Sequence, residues 1–349
     1  MRILLVTEEI TASPSEGLLV FIMHICRYLS ARHQLKVIYR DGDPEVRLDA
    51  LPLLSGRLHS GKDIRNYLKN NLFDVIIYIP SSGMTGFGLL RAMLLGRHSK
   101  TPVMVIAMQH RHIGWLHRVL SLMPAPDKIL TPVTGMRVAL EALRINTGFI
   151  MPGFDGDLFK PVDSHQKVAL RKKLNLPEDR FIILHVGHIK ESRNLQLFLR
   201  YREWGDDILP LVKGGEVENS WRERLRQAGM IVMDQYTDDI HELYQASDLY
   251  LFPVSSSTGA LDFPLSVIEA SACGLPVLTT RFGALPDILD SDTDYMYFQQ
   301  ASEISSAISR MRNSSARPTS EKVRSFTWEK VFSLYLDPAL GEFTPRKAE

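Results

Sequence analysis

The chain has 349 residues, which exceeds the usual length of a single domain and predicts two domains. Hydrophobic residues make up 45% and charged residues 23% of the chain, the ordinary balance of a globular protein, and the net charge of +1 argues against a nucleic-acid-binding protein. The two cysteines, Cys26 and Cys273, lie far apart in the sequence, which argues against a disulfide framework and favours a reducing compartment.

The apolar run near the N-terminus, residues 3–6, is far too short for a signal peptide, and Glu8 and Glu9 follow it closely. No uninterrupted apolar stretch approaches the ~18 residues that a membrane-spanning helix needs. We therefore expect a cytoplasmic protein, or one that attaches peripherally to the inner face of a membrane.

Short apolar runs alternate with helical patterns through the first half of the chain. Residues 18–31 place apolar side chains at helical spacing. The predicted strands of this half lie at residues 3–6, 35–39, 75–79, 103–107 and 128–130. Continuous apolar strands that alternate with helices predict a parallel sheet covered by helices on both faces.

The alternation restarts after about residue 165 and continues to a final helical stretch around Trp328. The second set of predicted strands lies at 181–186, 248–252 and 276–279. Turn-forming residues are dense at 151–157, which predicts a boundary there. Two doubly wound α/β domains facing a central cleft would bind ligands at the carboxyl ends of their strands.

The predicted domain organisation has three parts. The first domain spans 1–155 and the second spans 156–318. Residues 319–349 form a C-terminal helix with a tail, and we expect that helix to pack back towards the first domain.

The most informative segment runs from Asp262 to Val277, through a loop and a helix into a strand. Glu269 lies in a mostly apolar part of that helix, where a carboxylate is costly unless it is paired or hydrogen-bonded. The carboxylate therefore either lies on an exposed helix face or accepts hydrogen bonds from ligand hydroxyls.

This segment resembles the donor-binding signature of the retaining GT-B glycosyltransferases of family four, roughly Glu-Gly-Phe-Gly-x-x-x-x-Glu-Ala-Met-Ala-x-Gly-x-Pro-Val. The matching positions are Phe263, Glu269, Ala270, Ala272, Gly274, Pro276 and Val277. The resemblance implies that Glu269 binds the donor ribose. It also implies that the segment before it lines the donor site, with Asp262, Phe263, Pro264, Leu265 and Ser266 as contacts.

The sequence departs from the signature at its first Glu, which usually contacts the transferring sugar. Leu261 stands at that position, and Asp262 is the candidate to substitute for it from one position away. Asp262 and Pro264 also occupy the two glycine positions of the signature. These replacements put the identity of the sugar, and the activity itself, in question.

The resemblance extends to the segment between the two halves and to the loop that follows. Residues 153–161 are similar to the family's linker, and residues 186–194 are similar to the loop in which an Arg and a Lys hold the donor diphosphate. In that loop Gly187 is kept, His188 stands at the Arg as a weaker, pH-dependent cation, and Arg193 stands at the Lys. Lys190 is an alternative cation. The other interpretation of Lys190 and Arg193 is a solvated loop.

Two residues of the first domain are candidates through the same resemblance. Gly17 ends the loop after the first strand, which in the family approaches the donor phosphates and the acceptor. His110 follows the strand at 103–107, where the family has a His close to the transferred sugar. The resemblance thus implies catalytic roles for His110, Arg193 and Glu269, and no metal or cofactor besides the nucleotide-sugar substrate.

One feature does not depend on the resemblance. Residues 75–126 contain no Asp or Glu, yet they hold four histidines and the basic residues Arg91, Arg97, Lys100, Arg111 and Arg118. An apolar stripe follows on a predicted basic helix, through Ile113, Trp115, Leu116, Val119 and Leu120. Such a helix either binds an anionic partner or membrane surface or faces the core.

The resemblance implies a metal-independent glycosyltransferase of glycan biosynthesis that retains the anomeric configuration. Its acceptor would be a glycan or a lipid-linked sugar, bound on the first domain, and the departing phosphate would assist deprotonation of the acceptor. The alternatives are a nucleotide-sugar epimerase of the same fold and a non-catalytic relative that acts as a binding or partner subunit. The replacements at Leu261 and His188 favour the non-catalytic relative.

Overall fold

A computed structural model describes most of the chain. The described residues are 1–11, 16–45, 47–56, 58, 61–81, 83–109, 125–235, 237, 239–256, 260–313 and 319–345. The chain divides into two compact units. The first comprises Met1–Pro152 and Trp328–Glu349, and the second comprises Gly153–Thr327. The chain therefore leaves the first unit once and returns to it at Trp328.

The first unit is built on parallel strands. In chain order they are β1 (Arg2–Thr7), β2 (Glu9–Thr11), β3 (Gln34–Ile38), β4 (Asp41–Asp43), β5 (Ala50–Leu51), β6 (Val75–Ile79), β7 (Val103–Ile106), β8 (Lys128–Leu130) and β9 (Thr147–Gly148). Among the described residues, β2 and β4 form a separate pair, and the other seven form one sheet in the order β5-β3-β1-β6-β7-β8-β9. The strands predicted in this half are confirmed, because a strand buried on both faces is apolar throughout, as in β6, where every residue is buried.

Helices flank this sheet. They are α1 (Gly17–Ser30), α2 (Lys62–Asn70), α3 (Gly86–Ser99) and α4 (Thr134–Glu141). The helical pattern expected at 18–31 is thus confirmed, and its apolar stripe buries Phe21, Ile22 and Ile25. One core of the unit contains Leu4, Val6, Ile76 and Tyr78 of β1 and β6 together with the apolar faces of α2 and α3.

The second unit repeats the architecture. Its strands are β10 (Phe181–Val186), β11 (Ile208–Lys213), β12 (Ile231–Met233), β13 (Leu249–Phe252), β14 (Val277–Thr280) and β15 (Tyr295–Phe298). They form a parallel sheet in the order β12-β11-β10-β13-β14-β15. The order reverses between β10 and β13, which is the topological switch point of a doubly wound sheet.

The helices of the second unit connect these strands. They are α5 (Ser164–Lys173), two 3₁₀ segments (Glu191–Arg193 and Leu195–Glu203), α6 (Asn219–Gln227), α7 (Ile240–Ala246), α8 (Leu265–Ala272), α9 (Leu285–Ile288), α10 (Glu303–Arg312) and α11 (Ser320–Val323). A capping box begins α5, because the Asp163 side chain accepts from the Gln166 N–H while the Gln166 side chain accepts from the Asp163 N–H.

The chain then returns to the first unit. It forms α12 (Trp328–Val331), a π-helical turn (Phe332–Leu336) and α13 (Asp337–Gly341). These elements pack on α1, where the rings of Phe21 and Trp328 lie 6.0 Å apart and the Tyr28 hydroxyl donates to Asp337 at 2.7 Å. Thr319, by contrast, hydrogen-bonds the carbonyls of Ser271 and Leu275 within the second unit.

Among the described residues, no helix is both long enough and apolar enough to cross a bilayer.

A buried ion pair fastens α5 to the second sheet. Asp248, just before β13, accepts hydrogen bonds from Lys167 at 2.6 Å, Arg171 at 2.5 Å and the Ile182 N–H at 2.7 Å. The Arg171 side chain is 7% exposed, so its charge lies almost entirely out of water.

Replacing Asp248 with Asn should lower the free energy of unfolding by ~3 kcal/mol, because Arg171 would keep a buried charge without its counter-charge. Equilibrium urea unfolding measures this loss. As a control, Glu203→Gln removes an exposed pair with Arg200 and should leave the transition unchanged. Equal midpoints for the two variants would show that the Asp248 pair does not stabilise the unit.

Candidate functional site

The switch point of the second sheet brings two connections together. β10 pairs with β11 on one side and with β13 on the other, and all three strands run parallel. Their carboxyl ends therefore meet at one edge of the sheet, which is where doubly wound proteins bind ligands. Asn194 joins the two connections, because its side-chain amide donates to the carbonyl of Pro253 at 3.0 Å.

The connection after β10 begins at Gly187, where the side chains of Arg193 and His185 lie close to the backbone. A Cβ atom on Gly187 would lie 3.0 Å from Nη1 of Arg193 and 3.4 Å from Nε2 of His185, so glycine leaves room for both groups. The Arg193 side chain is buried, and the short 3₁₀ turn at the end of the loop places it there. This loop therefore carries a fixed cation at the end of β10.

His185 lies on β10 beneath this cation. Its Nδ1 is 3.1 Å from the carbonyl of Leu251, an acceptor, so Nδ1 carries the ring proton. Full burial, reinforced by the Arg193 charge, lowers the pKa of His185 to about 3. The imidazole is therefore neutral at physiological pH and adds no charge to the site.

The carboxylate of Glu216 lies beside Lys190 and His188 of the loop after β10. Glu216, in the turn after β11, lies 3.0 Å from Nζ of Lys190, and its carboxylate is 3.7 Å from Nδ1 of His188. The Glu216 N–H also donates to Nδ1 of His188 at 3.3 Å. The hydrogen bond from Lys190 holds the pKa of Glu216 below its usual value, so Glu216 is an anion beside the loop cations.

His188 is not a cation at neutral pH. Burial, together with the charges of Arg193 and Lys190, lowers its pKa to about 4, although Glu216 acts in the opposite direction. The sequence suggests a pH-dependent positive charge at this position, but the structure has a neutral ring there, which accepts a hydrogen bond. The positive charge of the loop therefore resides on Arg193 and Lys190.

The second connection supplies a carboxylate. Glu269 is partly buried on α8, and its Oε2 accepts a hydrogen bond from the hydroxyl of Tyr244 at 2.8 Å. Burial raises the pKa of Glu269 to about 7, and the hydrogen bond from Tyr244 opposes that rise. A carboxylate with this pKa is close to half ionised at neutral pH.

The loop before α8 is packed into the unit. Its residues Leu261, Asp262, Phe263 and Pro264 are all buried, as is Leu265 at the start of α8. The carbonyl of Asp262 accepts from the Ala284 N–H at 2.7 Å, and a Cβ atom on Gly283, whose φ is +53°, would lie 2.1 Å from that oxygen. This contact requires a glycine at 283 and fixes the start of α8.

Tyr250 of β13 lies between the two connections. Its hydroxyl donates to the carbonyl of Val186 at 3.3 Å and hydrogen-bonds Ser266. The charges of Arg193 and Glu269 both act on the pKa of Tyr250, in opposite directions. The loop cation and the α8 carboxylate therefore both act electrostatically on the same tyrosine.

The structure brings most of the predicted donor residues to this edge of the second sheet. Gly187, His188, Lys190 and Arg193 lie in one connection, and the segment from Asp262 to Glu269 lies in the other. Gly17 begins α1 in the first unit. His110 and the predicted basic helix through Ile113 and Leu120 lie outside the described residues.

Three residues that lie beside the predicted site residues could not be recognised from the sequence. Tyr244 precedes its partner Glu269 by 25 positions, and Glu216 follows its partner Lys190 by 26. His185 lies between apolar residues of a predicted strand, and nothing in that pattern marks it as a site residue. The pairing of β10 with β11 and β13 places His185 and Glu216, and the packing of α7 against α8 places Tyr244, so no local sequence motif predicts any of them.

One group of metal-ligating side chains occurs in the part of the chain that the structure describes. Ligand atoms of Asp239, His241 and Glu242 lie within 4.8 Å of one another. The ammonium of Lys173 already lies 2.6 Å from Glu242 and balances its charge. This group is therefore an ion-paired surface cluster at the start of α7.

Comparison with known proteins finds a family match in the second half of the chain. Residues 166–323, just under half of the chain, match the family model described as Glycosyl transferases group 1. The sulfoquinovosyl transferase SQD2 of Arabidopsis thaliana is 25% identical over 242 residues, which cover 63% of this chain and 45% of that protein. A D-inositol 3-phosphate glycosyltransferase of Mycobacteroides abscessus is 29% identical over 148 residues, which cover 39% and 32%. The chain thus spans about a third to a half of these relatives.

Solved structures resemble nearly the whole chain. The crystal structure of Anabaena Alr3699/HepE in complex with UDP has a TM-score of 0.76 at 13% identity, over 98% of this chain and 100% of that one. The structure of the same protein with UDP-glucose has a TM-score of 0.74. At such identities the likeness shows the fold alone, which is GT-B, as predicted. The fold and the family match together support a group 1 glycosyltransferase.

The charge state of His188 can be measured directly. We expect its imidazole to titrate near pH 4 in wild type and at higher pH in Arg193→Gln, because that variant removes a cation that disfavours protonation. Since its folded pKa lies below the unfolded value, stability should fall as pH drops from about 6.5 towards 4.

Two-dimensional NMR of the histidine side chains, assigned with His188→Gln, follows this titration. Arg200→Gln, on an exposed surface, is the matched control and should leave His188 unchanged. A wild-type imidazole that titrates near 6.5 would contradict the burial argument.

Proposed function

We propose that this chain transfers a sugar from a nucleotide-sugar donor to an acceptor, with retention of the anomeric configuration. The observation that carries the proposal is the placement of Arg193 and Glu269 around Tyr250, at the carboxyl ends of adjacent parallel strands. A cation and a hydrogen-bond-accepting carboxylate on either side of a switch point suit the diphosphate and the ribose of one nucleotide.

The loop cations would act on the leaving group. Negative charge accumulates on the nucleoside diphosphate as the bond to the sugar breaks, and fixed positive charge stabilises that state more than the ground state. Arg193 is suited to this role because its guanidinium stays protonated even when buried. Lys190 would add a second charge once the diphosphate displaces Glu216 from it.

The other parts of the proposed reaction follow from the resemblance. Glu269 would accept hydrogen bonds from the ribose, and Gly187, Asp262, Phe263, Pro264, Leu265 and Ser266 would line the donor site. His110 and Gly17 of the first unit would lie near the transferred sugar and the donor phosphates. The transition state would resemble an oxocarbenium ion, and the departing phosphate would take the acceptor proton without a metal. The acceptor would be a glycan or a lipid-linked sugar at the cytoplasmic face of an anionic membrane.

A second candidate is a non-catalytic GT-B subunit. Leu261 favours it, because a buried apolar side chain stands where the family signature has a carboxylate that contacts the sugar. Such a protein would bind nucleotide, or nothing, and would transfer no sugar. A nucleotide-sugar epimerase of the same fold is the third candidate, and release of an epimerised sugar nucleotide without an acceptor would support it.

A thermal-shift titration with UDP-, GDP- and ADP-sugars tests the donor site. A ligand present at 100 times its Kd should stabilise wild type by roughly 2.7 kcal/mol. The shift should be lost in Glu269→Ala and reduced in Glu269→Gln, because the ribose acceptor is removed or neutralised. Glu303→Gln, in the first turn of α10, is the control and should keep the full shift.

The outcomes separate the candidates. A shift with one donor that depends on Glu269 would identify the nucleotide and support the site. No shift with any of the three donors would contradict the transferase proposal and favour the non-catalytic subunit.

The carboxylate of Glu216 should compete with the donor phosphates for Lys190. We therefore expect Glu216→Gln to bind UDP, or whichever diphosphate binds wild type, a few-fold more tightly, with a gain that shrinks as salt screens the charges. Isothermal titration calorimetry at two salt concentrations measures the gain. Glu223→Gln makes the same charge change on exposed α6 and is the control. Equal affinities for both variants would show that Glu216 does not oppose the phosphates.

A further inference from the structure

The two oxygens of the Glu269 carboxylate have different surroundings. Oε2 accepts the hydrogen bond from Tyr244 at 2.8 Å. Within the part of the chain that the structure describes, no other group hydrogen-bonds this carboxylate, so Oε1 remains available to a ligand. The protein therefore holds one end of the carboxylate and leaves the other end open.

Tyr244 is itself held firmly in place. Its side chain is completely buried, and its ring lies 5.9 Å from the ring of Phe159 and 5.8 Å from that of Tyr250, both at steep angles. The next residue, Gln245, donates from its side-chain amide to the carbonyls of Leu158 and Lys160, each at 3.1 Å. Residues 158–160, near the start of the second unit, thus hold Tyr244 and Gln245 in place.

The hydroxyl of Tyr244 also keeps its proton. Burial and the neighbouring Glu269 charge raise the pKa of Tyr244 well above 10, so the group remains a hydrogen-bond donor at any physiological pH. A donor that cannot ionise and cannot turn away favours one orientation of its acceptor and favours the charged form of that acceptor.

We propose that Tyr244 is a positioning residue, which fixes Oε2 of Glu269 so that Oε1 faces the ligand as a charged acceptor. The inference rests on the proposed function, in which Glu269 binds the ribose hydroxyls of the donor. Phe159 supports the arrangement from behind by packing its ring against that of Tyr244.

The arrangement has a consequence for pH dependence. Because the pKa of Glu269 is about 7, lowering the pH through 7 protonates the carboxyl and weakens the charge-assisted bond to a hydroxyl. Removing the Tyr244 hydroxyl takes away an interaction that favours the charged form, so the carboxyl should titrate at higher pH. A rise of about one pKa unit would reduce the ionised fraction at pH 7 about fivefold.

The test compares Tyr244→Phe with Tyr201→Phe in the full chain. Tyr201 is also buried in the second unit, and its hydroxyl donates to a backbone carbonyl, that of Ala228, so its loss controls for general destabilisation. The first readout is the titration of the Glu269 side-chain carboxyl by ¹³C NMR, assigned with Glu269→Gln. The second is the Kd of UDP between pH 6 and pH 9.

We expect the Glu269 carboxyl to titrate at higher pH in Tyr244→Phe and at its wild-type position in Tyr201→Phe. UDP should bind Tyr244→Phe about fivefold more weakly at pH 7, with a smaller loss at pH 9. An unchanged carboxyl titration in Tyr244→Phe, or UDP binding equal in the two variants at every pH, would overturn the inference. If UDP, GDP and ADP all fail to bind wild type, the proposed function fails instead, while the carboxyl titration still decides whether Tyr244 controls Glu269.

Discussion

The adjacency of β10 and β13 as parallel strands is the constraint on which the candidate site depends. Parallel pairing puts the carboxyl ends of both strands at one edge, so the charges of Arg193 and Glu269, 76 positions apart in the sequence, both act on Tyr250. Polar links join the connections after these two strands, one from Asn194 to the Pro253 carbonyl and one through the Tyr250 hydroxyl.

Burial then decides which groups at that edge are charged. A buried imidazole loses its proton easily, so His185 and His188 are neutral. A buried guanidinium cannot respond in this way, and Arg193 keeps its charge under nearly the same conditions. The site thus contains one permanent cation, Arg193, and two neutral rings, His185 and His188. All three are basic residue types within nine positions of one another.

Much of the fold could be predicted from the sequence, because a strand buried on both faces must be apolar throughout. The strands at 75–79 and 181–186 show this directly. The place of Glu269 on a helix that leads into a strand also followed from its motif. The partners of these groups could not be predicted, since Tyr244 reaches Glu269 only through the packing of α7 against α8. The charge state of His188 depends on burial and on two cations, none of which can be read from its own position.

The two ends of the site differ in chemistry, and this difference bears on selectivity. Arg193, Lys190 and Glu269 are charged or ionisable, and under the proposed function all three face the nucleotide. Leu261 and Phe263, which lie in the loop before α8 and precede Glu269 in the sequence, are buried and apolar. A site that hydrogen-bonds a hydroxyl rejects an analogue without it strongly, because the unpaired protein group is costly, whereas an apolar contact discriminates weakly. Under the proposed function, Leu261 would therefore discriminate weakly among sugars, and Asp262 or other polar groups would have to supply any strict preference for one sugar.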